Sequence, residues 1–243
     1  MSLRISKRLK RLLTSILVVS AISASAYLLG WSSLLSVAQV SVNGSGAANL
    51  VLNELSRNGI EPKAGDQLAR VDVRSIKRTL NQLDWISSSD ISRNWFNKKL
   101  SIVVKERVAI AKTISVQNAS VNFDSKGFIF TPTSPNQLMA QGKLPSVTSQ
   151  SRSNEDLTAI ATLLEQIPSD LRYLLLDLES ISITKSSFIL MDTRLNASTL
   201  RINWGGATDI GQKSKVLTAL LKLPENKAIK QVDLSQPDSP IVS

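Results

Sequence analysis

Carboxylates are the main acid–base chemistry open to this sequence. Its 243 residues include no cysteine and no histidine. That removes Ser-His-Asp triads, Cys-His dyads and zinc sites of the usual ligand types. Asp177 with Glu179, or Glu155 with Asp156, could be drawn as acid and base. If Asp177 to Glu179 is extended, the two side chains share a face, but any half-exposed strand offers that spacing. Glu155-Asp156 equally suits the first turn of a helix, where anions are favoured by roughly 0.3–1 kcal/mol. Ser214-Lys215 and Ser125-Lys126 need convergence in space that adjacency does not supply. Gly205-Gly206 is a lone pair, far from a phosphate-binding loop. The residues therefore point away from an enzyme, and no cofactor or metal is expected. An anchored carboxylate hydrolase is the enzymatic alternative.

The elements that must position these residues follow one dominant segment. Leu12 to Leu35 carries no charge, and Arg4, Lys7, Arg8, Lys10 and Arg11 stand directly before it. As a helix this stretch would be roughly 36 Å long, enough for a hydrocarbon core of about 30 Å. Five cations precede it and no further cation occurs until Arg57, which keeps the N-terminus cytoplasmic and exports the rest. Ala24-Ser25-Ala26 resembles a signal-peptidase site. Apolar character nevertheless continues through Tyr27, Leu28, Leu29, Trp31, Leu34 and Leu35, and the two aromatics suit a membrane interface. A retained anchor over 12–35 is the expectation, after a basic tail over 1–11.

The formal balance is 29 Lys and Arg against 19 Asp and Glu. Setting aside the five N-terminal cations leaves 24 against 19, too mild an excess for a nucleic-acid surface. Without disulfides the body must be held by an apolar core. Asn-x-Ser sequons stand at Asn43, Asn118 and Asn196, a pattern common by chance.

Val37, Val40 and Val42 lead to the Asn43-Gly44 turn and predict a strand. Ser45 to Leu55 reads as a helix on Ala48, Val51, Leu52 and Leu55. Asp72 is the predicted N-cap of a second helix, with Val73, Ile76, Leu80 and Leu83 on one face. Trp85–Trp95 and Leu100–Val108 read as paired strands joined at Asn97-Lys98. Two helices on one face of a three-stranded sheet make a small α+β unit. Beyond it, Asp124 to Gly127 marks a turn between strands, and Pro132 to Lys143 reads as a loop. Ser153 to Ile167 is a capped helix. Strands are expected at Ile181–Ile183, Phe188–Met191 and Leu200–Trp204. The tail Val232 to Ser235, followed by Gln236 to Val242, is the best candidate for an edge that accepts a partner's strand. There Pro237 and Pro240 limit the donors.

The segments "VAQVSVNGS" and "GDQLARVDVRSIKRTLNQLDWISSSDISRNWFNKKLSIVVKERVAIA" closely resemble the POTRA domain of the bacterial FtsQ/DivIB division family. The likeness rests on Val42-Asn43-Gly44, Gly65 with Leu68, Leu83 with Trp85-Ile86, Ile91 with Arg93, and Leu100, Ile102, Val104 with Glu106-Arg107. Phe96-Asn97 stands where the family has an aromatic and Pro, and Val108 replaces a Pro. Further on, "ASVNFDSKGFIF", "INWGGATDIGQKSKVLTALLKL" with Lys213, and "IKQVDLSQPDSPIV" resemble later family segments, most like actinobacterial members.

The resemblance implies an α+β fold: a transmembrane helix, a POTRA domain over 36–108, and a β-rich domain over 109–243. It implies a single-pass type II protein of the plasma membrane at the division septum, without enzymatic activity. Its implied partners are an FtsB/DivIC-like and an FtsL-like protein, bound within Ser235–Val242 at Ser235, Gln236, Ser239, Ile241 and Val242; the edge reading adds Val232, Asp233 and Leu234 to the expected contacts. FtsW/FtsI-like septal synthases are further implied partners of the POTRA domain. The alternative, a POTRA-containing envelope assembly or translocation factor, predicts further repeats or ten-residue barrel segments, and neither is visible.

Overall fold

The computed structural model describes residues 7–30, 35–114, 119–149, 153–184, 186–196 and 198–243. Trp31, Leu34 and the sequon at Asn118 lie outside them. Helix α1 covers Lys7–Gly30, so it begins within the basic run rather than after it. Among the described residues no helix is long and apolar enough to cross a membrane. Leu12, Leu17, Val19 and Ile22 are nevertheless exposed around α1, and the Thr14 and Ser25 hydroxyls donate to the carbonyls of Lys10 and Ala21 one turn back.

The chain divides into two compact units, with the break between Glu106 and Arg107. In the first, β1 (Gln39–Asn43), α2 (Ala48–Arg57), α3 (Val73–Asn81), β2 (Ile86–Asn94) and β3 (Lys99–Glu106) follow in order. β3 is central, parallel to β1 and antiparallel to β2. Leu100, Ile102 and Val104 are fully buried, as the alternation along β3 requires, and meet Val51, Leu55, Ile76 and Leu80 from the helices in the core. α2 starts three residues later than the apolar spacing predicts, because Ser45 turns its hydroxyl to Glu106 and accepts from the Ala47 amide. Asp72 caps α3 as expected, accepting from the amides of Arg74 and Ser75.

The second unit opens with an antiparallel sheet of β4 (Ala111–Ile114), β5 (Ser120–Phe123) and β6 (Ile129–Phe130). Arg107 lies over the Phe128 ring, 4.0 Å from its centroid, and pairs with the buried Asp124. The predicted loop over 132–143 is in part helical: α4 spans Pro135–Ala140. Ser134 and Gln137 form a reciprocal capping box and Pro135 occupies the first turn, a combination that starts a helix even without an apolar stripe.

There follow β7 (Val147–Ser149), α5 (Asn154–Gln166), α6 (Tyr173–Leu176), β8 (Leu178–Ile183), β9 (Ile189–Leu195), β10 (Ser198–Gly205), α7 (Ile210–Lys222), β11 (Gln231–Asp233) and β12 (Ile241–Val242). Their sheet has six strands in the order β12-β11-β10-β9-β8-β7. Ile181, Ile183, Met191, Leu200, Ile202, Trp204 and Val232 fill its inner face and pack with α5 and α7 residues such as Ile160, Leu163 and Leu217. At the β7 end the Lys112 amide donates to the Pro145 carbonyl (2.9 Å), which joins the small sheet to that margin.

Gly44 tests the first unit. Its φ is +82°, and a Cβ there would lie 2.4 Å from the Val104 carbonyl oxygen. Gly44→Ala should destabilise the unit by about 2 kcal/mol or more. Gly142→Ala, where a Cβ meets nothing within 4 Å, should not; urea unfolding of both variants checks this.

Candidate partner-binding edge

The carboxylate pairs do not form a catalytic site. Asp177 is the C-cap of α6 rather than part of a strand, so it does not share a strand face with Glu179. Glu179 instead accepts from the Arg194 guanidinium (2.6 Å) and from Thr199 (3.3 Å). Glu155 and Asp156 lie in the first turn of α5, capped by Ser153. Ser214 is buried and Lys215 exposed, as successive helix positions dictate. Both border a hollow of about 350 Å³ with Asp170, whose carboxylate accepts from Thr218. The Ser214 hydroxyl has no hydrogen-bond partner, so nothing there activates it. Among the described residues no cluster of acids could hold a metal.

The outer face of the large sheet is a ladder of closed pairs. Arg201 holds Asp192 with two bonds (2.8 and 3.1 Å), and Ser180 adds a third (3.2 Å). The Arg201 bonds keep the Asp192 carboxyl below its ordinary pKa. This face is occupied with itself. The strand edge is where polar groups remain.

At that margin the sequence expectation needs correction. Val232 and Leu234 are fully buried, and β11 is an interior strand, parallel to β10 and antiparallel to β12. Their side chains belong to the core. Asp233 is structural: it accepts from the Asn203 amide (2.8 Å) and from the Ser235 amide (2.8 Å). Burial pushes its pKa up, but the Ser235 and Asn203 bonds outweigh this and hold it below the usual carboxylate range.

The chain then loops back. Gly205 approaches Ser235 so closely that a Cβ would lie 2.8 Å from the Ser235 Cα. Gln236 accepts from the Ser239 amide in a turn, and Gln212 of α7 donates to Asp238 (2.9 Å). Lys213, buried beneath, donates to the Gly206 carbonyl (2.8 Å); desolvation lowers its pKa while Asp209 opposes the shift.

So placed, Ile241 and Val242 form the last strand, 68% and 39% exposed. Ser243 exchanges bonds with Gln231 in both directions (2.9 and 3.0 Å). By the alternation of an antiparallel ladder, Ile241 and Ser243 point their backbone groups inward, and the N–H and C=O of Val242 point away from the sheet. Pro240, the next outward position, offers only its carbonyl. Beside this edge lies a hollow of about 280 Å³ lined by Glu225, Asn226, Ala228, Ile229, Val242 and Ser243. Of the eight predicted contact residues, Ile241 and Val242 are thus on the free edge. Ser235, Gln236 and Ser239 shape the loop, and Val232, Asp233 and Leu234 hold the strand beneath.

A small sheet with two helices, followed by a larger mixed domain ending in an edge strand, defines a POTRA-bearing α+β protein. Residues 35–107 match the family model described as POTRA domain, FtsQ-type. Over 248 residues, 99% of this chain and 88% of the relative, the sequence is 27% identical to the cell division protein FtsQ of Streptomyces bingchenggensis (strain BCW-1). The chain thus carries an FtsQ-type POTRA domain and is similar, along nearly its whole length, to a cell division protein.

Asp233 carries the prediction. Asp233→Ala should cost about 1–2 kcal/mol and speed amide exchange at Gln231 and Ser243. Because the folded pKa is depressed, the contribution is complete above the unfolded pKa, near 4, and is lost as pH falls through the folded value. The protection factors of these amides, taken relative to the intrinsic rate at each pH, should therefore fall in acid for the wild type and change less in Asp233→Ala.

Proposed function

We propose that this protein is a single-pass type II scaffold of the plasma membrane at the division septum. In this reading α1 and the residues after it anchor the chain, and the body stands outside the cytoplasm. The support is the uncharged run from Leu12 to Leu35 behind five cations, and the apolar side chains that α1 leaves exposed on all sides. Hydroxyls bonded within the helix suit a medium without water.

The function of the body is to bind. A segment of an FtsB/DivIC-like protein, paired with an FtsL-like one, adds to the sheet as a further strand alongside β12. FtsW/FtsI-like synthases meet the POTRA unit. The single observation that carries strand addition is the outward N–H and C=O of Val242 on an exposed terminal strand. Ile241 presents its side chain on the outer face, opposite Asp233, for a partner side chain to cover.

Proline at 242 isolates the backbone contribution, since it removes the outward N–H and leaves the bonds of Ser243 to β11 in place. Val242→Pro should weaken capture of the coexpressed FtsB/DivIC–FtsL pair by about tenfold or more, equivalent to about 1.4 kcal/mol. Val242→Ala should bind nearly as wild type, and both variants should melt within a few degrees of it. Equal capture by Val242→Pro would remove this edge from the interface.

A further inference from the structure

The turn between β2 and β3 exposes aromatic surface that the fold does not use. Phe96 is 98% exposed, more than any other large apolar side chain among the described residues, and its neighbour Trp95 is 38% exposed. Lys98 and Lys99 follow after Asn97, with Lys98 held at φ +52° to close the turn. Two aromatics and two cations at one hairpin tip make an amphipathic projection. Rings of this kind settle at the headgroup level of a bilayer, and lysines reach past them to phosphates.

Topology says which surface is within reach. Because β1 runs parallel to β3, Gln39 at the start of β1 lies opposite Lys99 at the start of β3. The Ala38 amide donates to the Lys98 carbonyl (2.8 Å), so the turn sits at the sheet end where the chain enters the domain. Leu35 ends the predicted anchor over 12–35, and its carbonyl already accepts from the Leu68 amide (3.0 Å). Only Ser36 and Val37 intervene before Ala38, and Val37 is bonded to Asp66 and Gly65. There is no slack. Three residues of extended chain span at most about 10 Å, comparable with the headgroup layer beyond the hydrocarbon core. Backbone bonds of Val37 to Asp66 and Gly65, of Asp66 to Lys63, and of Ala38 to Lys98 bring Lys63, Lys98 and Lys99 to this end against Asp66, a cationic rim suited to anionic lipid.

We infer that the Trp95–Lys99 turn is a second membrane contact. Phe96 and Trp95 seat in the interface of the outer leaflet, while Lys98 and Lys99 engage anionic phosphate headgroups. This rests on the anchor reading, which sets the bilayer at Leu35. Its consequence is orientation: a domain held at two points cannot turn freely about its tether.

The cysteine-free chain lends itself to site-directed spin labelling. The full chain, carrying a single nitroxide at Asn97→Cys, Ser88→Cys or Ser20→Cys, is reconstituted into phosphatidylglycerol–phosphatidylethanolamine vesicles. Position 97 samples the turn, position 88 the far end of β2, and position 20 the anchor. Labels at 20 and 97 should collide more with oxygen than with a water-soluble nickel chelate, and the label at 88 should do the reverse. Adding Trp95→Ser and Phe96→Ser should return position 97 to the aqueous profile of position 88. A label at 97 as nickel-accessible as at 88, with 20 still lipid-buried, overturns the second contact alone. So does nickel protection at 97 that survives the double serine variant. An aqueous profile at 20 overturns the anchor reading and this inference with it.

Discussion

Asn203 is the residue on which the far margin of the large sheet depends. Its side-chain amide donates to Asp233, its carbonyl accepts from the Leu234 amide, and its side-chain oxygen accepts from the Gly205 amide. One residue thereby fixes the parallel register of β11 against β10 and the departure of the chain at Gly205. A three-residue parallel strand has little ladder of its own, and parallel pairing is slightly weaker per residue than antiparallel. The side-chain bridge supplies what the short backbone ladder lacks. Without it β11 has no defined place, and β12 has nothing to pair with.

The two margins of this sheet are treated differently. At β7 the chain covers the edge with its own backbone, through Lys112 and Pro145, and with the small sheet beyond. At β12 it does not. An uncovered edge is an aggregation hazard that proteins blunt by shortness, charge or proline. Here β12 is two residues long, and Pro240 removes a donor next to the one outward N–H. The edge is kept available but narrow, which suits a selective partner more than a chance strand.

Much of the first unit is legible in the sequence because its signals are local and periodic. Leu100, Ile102 and Val104 alternate, Val73, Ile76 and Leu80 recur at helical spacing, and Asp72 announces its helix. The margin of the second unit is another matter. Val232 and Leu234 alternate as an edge strand would, but the same alternation fits an interior strand, and only the return of Ile241 and Val242 decides between them. A two-residue strand behind two prolines has no period to read. α4 escapes a search for apolar stripes because its signal is the Ser134–Gln137 capping box. Asp177 appears extended beside Glu179 until the turn of α6, built by tertiary packing of Leu174, places it otherwise.

An edge this short can serve a specific interaction because of how the chain is held. One outward N–H and two carbonyls contribute little beyond what water offers the same groups, of the order of 1 kcal/mol each. In free solution that would not offset the translational and rotational freedom lost on association. In the proposed arrangement both partners are confined to one membrane, and the second chain would then arrive at an effective concentration set by the tether rather than by dilution. Orientation matters as much as proximity, because strand addition needs backbone groups aligned to within a hydrogen bond. The shortness of β12 then keeps the contact from pairing with anything not already in place.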